Sequence, residues 1–270
     1  MNAAVRRPAV AGRFYPGEPD ALLRDVRAYL MQAPERVAAL GCVAPHAGYV
    51  YSGHVAGAVY GRLELPRQFI ILCPNHTGMG EPLAIMSQGA WLTPLGEAPI
   101  AAALAAELKR EFKPLKEDAY AHLAEHALEV QLPFLQAQKK EFAFVPICVG
   151  VGTYDLLKQL GEAIARVVAR QNEPVLIVAS SDMNHYESDA ITRIKDRKAI
   201  DQMLARSPAG LHETVRRERI SMCGSGPAVA MLTATGQLGA ADAALVKYAT
   251  SADISGDRET VVGYAGLVMR

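Results

Sequence analysis

The chain has few cysteines, few aromatic residues, no long apolar run and no excess of charge of either sign. Only 4 of its 270 residues are cysteine and none forms a CxxC pair, so a disulfide scaffold is not indicated. Lysine and arginine together number 28, as do aspartate and glutamate. Because nucleic-acid-binding proteins usually carry a basic excess, and a single tryptophan gives no stacking platform, we expect neither a nucleic-acid partner nor a membrane partner.

No apolar stretch approaches the roughly 20 residues that cross a bilayer. The first residues contain two arginines but no following apolar segment, so we expect no signal peptide and a cytoplasmic protein. No repeat, charge block or change in composition marks a linker. We therefore predict one domain over residues 1–270.

Short apolar, β-branched runs alternate with amphipathic segments along the chain. The runs predict strands over residues 40–44, 68–73, 83–87, 142–149, 174–179, 243–248 and 260–268. The amphipathic segments predict helices over residues 19–31, 53–63, 100–112, 122–135, 154–169, 191–205, 210–217 and 226–235. This alternation predicts an α/β sandwich, with helices flanking a central, mixed and largely parallel sheet.

Three of the apolar runs end in a polar segment that contains a histidine. His46 follows the first run, His76 follows the second, and His185 lies a few residues beyond the run at 174–179. Ligands of open α/β sheets bind outside the carboxyl ends of the strands, so three histidines placed alike are expected to meet in one pocket. Neutral imidazole is the commonest metal ligand in proteins, which favours a metal site.

Two further segments carry reactive side chains. Cys223 precedes a predicted helix, where a cysteine tends toward the thiolate, a metal ligand. The alternative is a small buried filler, which is our interpretation of Cys42, Cys73 and Cys148 inside the strands. The segment at 180–185 either caps the next helix or makes His185 an acid–base group that Asp182 orients.

The string from His122 to His126 has the H-x-x-E-H pattern of a zinc hydrolase, with Glu125 between the two histidines. On a helix the two histidines would share one face. An equally simple interpretation directs His126 and Glu129 into the pocket and leaves His122 and Glu125 solvated. Both interpretations assume that residues 122–135 are helical.

Six motifs in this order resemble the Memo family, also called AmmeMemoRadiSam system protein B. They are RPAVAGRFYP at 7–16, PHAGYVYSG at 45–53, PNHT at 74–77, EHALEVQLPF at 125–134, SSDMNHY at 180–186 and CGSGP at 223–227. That family is similar in fold to class III extradiol ring-cleaving dioxygenases, which are non-haem iron enzymes. The resemblance spans nearly the whole chain.

The resemblance implies a metal bound by His46, His76 and Cys223, with His185 as the pocket histidine that moves protons. It implies further pocket residues, which are Asp182, His126, Glu129 and, near the entrance, Tyr51. The dioxygenases use two histidines and a carboxylate, whereas here a thiolate would take the place of the carboxylate. Fe(II) is the expected ion, although a site of two histidines and one cysteine also suits copper or zinc.

Two functions follow as hypotheses from this resemblance. The first is a non-haem iron-dependent dioxygenase or related oxidoreductase that acts on a small aromatic substrate. The second is a binding protein without catalysis, which docks a phosphorylated or anionic peptide or a radical-SAM partner protein.

Overall fold

The computed structural model describes residues 4–30 and 36–270 of the chain. The strands are β1 (Val5–Arg6), β2 (Gly41–Ala44), β3 (Gln68–Pro74), β4 (Leu83–Ile85), β5 (Ala90–Thr93), β6 (Gly96–Pro99), β7 (Lys116–Glu117), β8 (Ala143–Val149), β9 (Val175–Ser180), β10 (His185–Glu187), β11 (Ala243–Thr250) and β12 (Val261–Met269). The helices are α1 (Pro19–Leu30), α2 (Tyr49–Arg62), α3 (Ala102–Glu111), α4 (Leu132–Gln138), α5 (Tyr154–Val168), α6 (Asp189–Leu204), α7 (Pro208–Arg217), α8 (Ser225–Gln237) and α9 (Ala252–Ser255).

The main sheet has the strand order β10-β12-β2-β9-β3-β8-β4-β7, and β11 also pairs with β12, on the side away from β2. Its centre, β2-β9-β3-β8, is parallel, whereas β12 and β4 run antiparallel to their neighbours β2 and β8. The predicted mixed α/β architecture is therefore confirmed. A separate small sheet, β1-β5-β6, joins the N-terminal segment to a hairpin.

The central strands are buried on both faces, which explains their nearly continuous apolar sequences. Along β3, Ile70 and Leu72 pack into the layer that contains α3, α5 and α8, whereas Phe69 and Ile71 pack into the layer that contains α1, α2 and α4. This alternation follows from the two-residue period of a strand. Each face of the sheet thus has its own hydrophobic core.

The seven predicted strands are all present, with ends that shift by a few residues. Sequence patterns missed the short strands β1, β5, β6, β7 and β10, because two to four residues are too few to show a period. The helix predicted at 19–31 is observed as α1, and its last position, Met31, lies outside the described residues. Within the described ranges, no helix combines the length and apolar character that a membrane span requires.

Close packing of α5 on α8 depends on a glycine. A Cβ atom added at Gly161 of α5 would lie 2.6 Å from Cβ of Thr233 and would collide with the carbonyl oxygen of Ala230. Gly161→Ala is therefore expected to lower the free energy of unfolding by about 1–3 kcal/mol in urea denaturation. Gly236→Ala on α8 is the control, because open space surrounds that position and a small gain is expected there. Equal stability of the two variants would contradict this account of the interface.

Candidate metal centre

Three neighbouring parallel strands deliver the predicted residues to one edge of the sheet. His46 follows β2 by two residues, His76 follows β3 by two, and Asp182 follows β9 by two. The loop before α8 joins them, since the N–H of Gly224 donates to Oγ of Ser181 at 3.0 Å. A side chain at Gly224 would collide with the backbone of β9 at its last residue, so glycine permits this approach.

The structure brings His46, His76 and Cys223 together. One ligand atom of each lies within 4.8 Å of those of the other two. Sγ of Cys223 lies 3.2 Å from Nε2 of His46, and the two imidazole rings have centroids 5.2 Å apart. The edge of the sheet therefore gathers two nitrogen donors and one sulfur donor from segments far apart in the sequence.

A chain of hydrogen bonds determines which nitrogen of His46 carries its proton. Oγ of Ser180 donates to the carbonyl of Ala127 at 2.6 Å and accepts from Nε2 of Gln131 at 2.8 Å. The single hydroxyl proton is thus already used, so Ser180 accepts from Nδ1 of His46, which lies 2.9 Å away. Gln131 is itself oriented, because its Oε1 accepts from the hydroxyl of Tyr60. Nε2 of His46 is consequently bare and faces Cys223.

His76 is oriented by a buried carboxylate. Oε1 of Glu125 accepts from Nδ1 of His76 at 2.9 Å, and Oε2 accepts from the backbone N–H of His76 at 2.6 Å. Oε1 also accepts from the N–H of Ala127 at 2.9 Å. Burial opposes ionisation of Glu125, but the bonds from His76 prevail and lower its pKa to about 2. His76 therefore donates through Nδ1. Burial alone would lower the pKa of His76, but Glu125 raises it, so a cation at Nε2 would displace the second ring proton.

His76, Glu125 and His126 form a second group with metal-ligand spacing. The oxygens of Glu125 are already occupied by three N–H donors, which marks it as a carboxylate that supports a ligating histidine. His126 lies beside this pair, with its ring stacked at 4.8 Å on His76 and 4.6 Å from the ring of Phe14. Burial lowers the pKa of His126, so near neutral pH it is an uncharged wall of the site.

Asp182 supports the backbone of the site. Its Oδ1 accepts from the N–H groups of His46 and Ala47 at 2.7 and 3.3 Å, and burial raises its pKa. His185 was expected to be oriented by Asp182, but its Nδ1 instead lies 3.0 Å from the carbonyl oxygen of Ser221. A carbonyl can only accept, so the proton is on Nδ1 and Nε2 is free for chemistry.

Two other residues predicted for the pocket, Glu129 and Tyr51, belong to neither group of donor atoms among the described residues. Glu129 is fully buried, where it pairs with Arg6 at 2.6 Å and accepts from the hydroxyl of Tyr15. Its carboxylate therefore holds the N-terminal segment in place. Tyr51 lies in the first turn of α2, is 40% exposed and borders a cleft of about 560 Å³ that also includes Phe14.

The α-helix predicted at 122–135 is wrong over residues 122–131. A 3₁₀ turn at Tyr120–His122 and another at Glu129–Gln131 precede α4, which begins at Leu132. Pro133 marks this start, because proline favours the first turn of a helix. The H-x-x-E-H string is thus not helical, and His122 belongs to neither donor group among the described residues. Glu125 and His122 are both buried, contrary to the interpretation that left them solvated.

Buried His122 should make the protein sensitive to acid. Its ring packs 5.5 Å from that of Trp91, and burial followed by the charge of Arg6 lowers its pKa from 6.5 to about 4. A lowered folded pKa favours the neutral form, so this contribution is complete above pH 6.5 and is lost as the pH falls toward 4. At pH 5 the loss amounts to about 2 kcal/mol.

Urea denaturation of the protein and of His122→Leu at pH 7 and pH 5 tests this expectation. The stability difference between the two proteins should shift by about 2 kcal/mol in favour of the variant at the lower pH. The comparison cancels contributions from the other histidines. A difference that stays constant between the two pH values would contradict a neutral, buried His122.

Sequence reasoning missed the residues that orient the ligands. Ser180 and Gln131 act on His46, and Glu125 acts on His76. Ser180 carried a weak signal, since it is a polar residue at the end of a buried strand. Gln131 carried none, because its partner Ser180 lies 49 residues away in the chain. Glu125 stood out only as part of the H-x-x-E-H string, and nothing in the sequence pointed to its partner His76, also 49 residues away.

The donor set fits a divalent metal. Each histidine has its Nδ1 proton committed to a partner, which leaves Nε2 as the ligating atom, the arrangement typical of metal-ligating imidazoles. Burial, and then the charge of Asp182, raise the pKa of the Cys223 thiol, so without a cation this thiol keeps its proton and lies against His46. A bound cation would favour the thiolate instead.

The sequence of the chain matches a known protein family. Residues 6–268 match the family model described as Memo-like protein. The chain belongs to the Memo family. Similar members include the MEMO1 family protein MK0963 of Methanopyrus kandleri, which is 42% identical over 98% of this chain and 99% of its own. The MEMO1 family protein MTH_45 of Methanothermobacter thermautotrophicus is 39% identical over 97% and 99% of the two chains.

The fold also occurs in a distant solved structure. The uncharacterized protein JW3007 of Escherichia coli K12 aligns with a TM-score of 0.58, over 84% of this chain and 98% of its own, at 11% identity. At that identity the likeness concerns the fold alone. The Memo family thus shares its sheet and layered helices with a protein of quite different sequence.

Proposed function

We propose that the protein is a metal-dependent oxidoreductase, a non-haem iron dioxygenase of the class III extradiol type, in which His46, His76 and Cys223 hold Fe(II). The observation that carries this proposal is the pair of imidazoles beside a thiol, each held through Nδ1 by its own buried partner so that Nε2 is the atom left to ligate. Three protein ligands leave coordination positions open. When bound, Fe(II) would supply adjacent positions for a catechol and O₂ and would transfer electron density between them.

The chain itself supplies proton handling and shape. His185 presents a free Nε2, which takes a proton from a substrate hydroxyl and later returns one. His126 and Phe14, whose rings lie 4.6 Å apart and are tilted by 48°, provide an aromatic surface against which an aromatic substrate packs. Asp182 keeps the backbone of His46 in place and adds negative charge beside the cation.

The third ligand would be a thiolate here, where the dioxygenases have a carboxylate. The two groups carry the same charge, but sulfur is a softer donor than oxygen. Copper and zinc are therefore the competing ions for this site. The metal content of protein purified from its native host should show iron in about one equivalent per chain. Copper or zinc in its place would contradict the iron assignment.

Anaerobic loading with Fe(II), followed by O₂ uptake with catechol, protocatechuate and 3,4-dihydroxyphenylacetate, tests the activity. We expect turnover with at least one of them, and a loss of about 100-fold or more in His185→Ala with bound iron unchanged. His212→Ala is a matched control, since that histidine bonds the carbonyl of Gly152 instead. Absence of uptake in fully loaded protein, together with tight binding of an anionic peptide by metal-free protein, would favour the docking hypothesis.

A further inference from the structure

Asn184 is a completely buried side chain whose hydrogen-bonding capacity is fully used. Its Oδ1 accepts from the backbone N–H of Ser221 at 3.1 Å and lies 3.2 Å from the Ser221 hydroxyl, which shares its single proton between this oxygen and the carbonyl oxygen of His185 at 3.3 Å. Its Nδ2 donates to Oε2 of Glu187 at 2.7 Å and to Oγ1 of Thr192 at 3.2 Å. These four partners determine which end of the amide faces Ser221.

The backbone of Asn184 is anchored to the core. Its N–H donates to Oδ1 of Asp196 on α6 at 2.8 Å, and its carbonyl accepts from the N–H of Gly263 on β12 at 2.9 Å. Asp196 is itself buried and accepts from the hydroxyl of Tyr248 on β11. Two strands and a helix therefore fix the position from which Asn184 reaches Ser221.

Ser221 connects this anchor to the site. Its hydroxyl accepts from the backbone N–H of His185 at 2.7 Å, and its carbonyl oxygen accepts from Nδ1 of the same histidine at 3.0 Å. Ser221 also precedes Cys223 by two residues. One short segment thus carries both the thiol and the group that orients the His185 ring.

We propose that Asn184 is a positioning residue which acts through Ser221. It holds His185 in the tautomer with its proton on Nδ1, and it keeps the ring at a fixed position relative to Cys223. The inference rests on the proposed function, in which His185 moves protons through Nε2. A base must present an unprotonated nitrogen to its substrate. Without the Ser221 carbonyl, a solvated imidazole favours the opposite tautomer, with its proton on Nε2.

The imidazole ¹⁵N shifts of His185, measured by NMR in the metal-free full-length protein at pH 8, report this tautomer directly. We expect the Nδ1–H form to dominate in the unaltered protein and to become the minority form in Asn184→Ala. Ser221→Ala removes the hydroxyl from an exposed residue and should shift the balance in the same direction to a smaller extent. If Asn184→Ala fails to fold, the His185 tautomer in Ser221→Ala is the test of the proposal.

Thr192→Val is the matched control. It removes one buried partner of Asn184 on the side away from Ser221, so the His185 tautomer should stay unchanged although stability falls. A His185 ring that keeps its Nδ1 proton in both Asn184→Ala and Ser221→Ala would overturn the proposal, as would an equal shift in Thr192→Val. Because this measurement needs neither metal nor turnover, its failure is distinct from a failure to detect dioxygenase activity.

Discussion

Replacing Glu125 with glutamine is expected to weaken divalent-metal binding by about 10- to 100-fold, the usual cost of losing a partner of a metal-ligating histidine. The carboxylate receives N–H groups on both oxygens, two from His76 and one from Ala127. An amide has only one oxygen. Its NH₂ group would therefore take the place of the other oxygen, and at least one of these N–H donors would be left without an acceptor. The ring of His76 would lose its negatively charged partner in either orientation of the amide, and would lose the hydrogen bond at Nδ1 as well where the NH₂ faces it.

Competition with a chelator for Zn(II) measures this change in the full-length protein, and calorimetry gives the number of ions bound. Circular dichroism should confirm that Glu125→Gln is folded, since one unsatisfied buried group costs about 1–3 kcal/mol. Glu117→Gln is the control, because that carboxylate accepts from Ser87 and Lys109 outside the cluster. Affinity within about twofold of the unaltered protein would refute the supporting role assigned to Glu125.

The stoichiometry separates two interpretations of the histidines. If Glu125 supports His76 at a single centre, the variant binds the same number of ions more weakly. If Glu125, His76 and His126 formed a second centre of their own, the variant would lose one ion per chain and keep the affinity of the other. The occupied oxygens of Glu125 lead us to expect the first result.

The convergence of His46, His76 and Asp182 is predictable from sequence because each follows a buried strand by two residues. Parallel neighbours end at one edge of a sheet, so residues at equal offsets must meet there. The hydrogen bonds that choose a tautomer are not predictable in this way. They join side chains whose separation depends on the three-dimensional path of loops, as between Ser180 and Gln131.

The failed helix at 122–135 has a specific physical cause. In a helix the carbonyl oxygens of His122 and Glu125 would accept from N–H groups four residues later. Here they accept from Nε and Nη2 of Arg6, each at 2.8 Å. A buried arginine from the N-terminal strand thus competes with helical hydrogen bonding, and local periodicity carries no information about it.

Removing that arginine should be among the most destabilising single changes in the protein. Nη1 of Arg6 lies 2.6 Å from Oε2 of Glu129, both side chains are almost completely buried, and the guanidinium lies 4.1 Å from the centre of the Trp91 ring. Arg6→Met leaves the Glu129 carboxylate without its cationic partner and two buried carbonyl groups without their donor. The expected loss is about 3–5 kcal/mol in the free energy of unfolding, measured by urea denaturation at pH 7.

The double variant Arg6→Met/Glu129→Gln separates the lost charge pairing from lost packing. It removes the unpaired charge while it keeps a similar side-chain volume, so we expect it to recover at least about 1 kcal/mol relative to Arg6→Met. A double variant as unstable as the single one would show that packing on Trp91, and not the ion pair, accounts for the effect. Since Arg6 also fixes the loop that carries Glu125, metal affinity in the double variant should remain below that of the unaltered protein even after stability is partly restored.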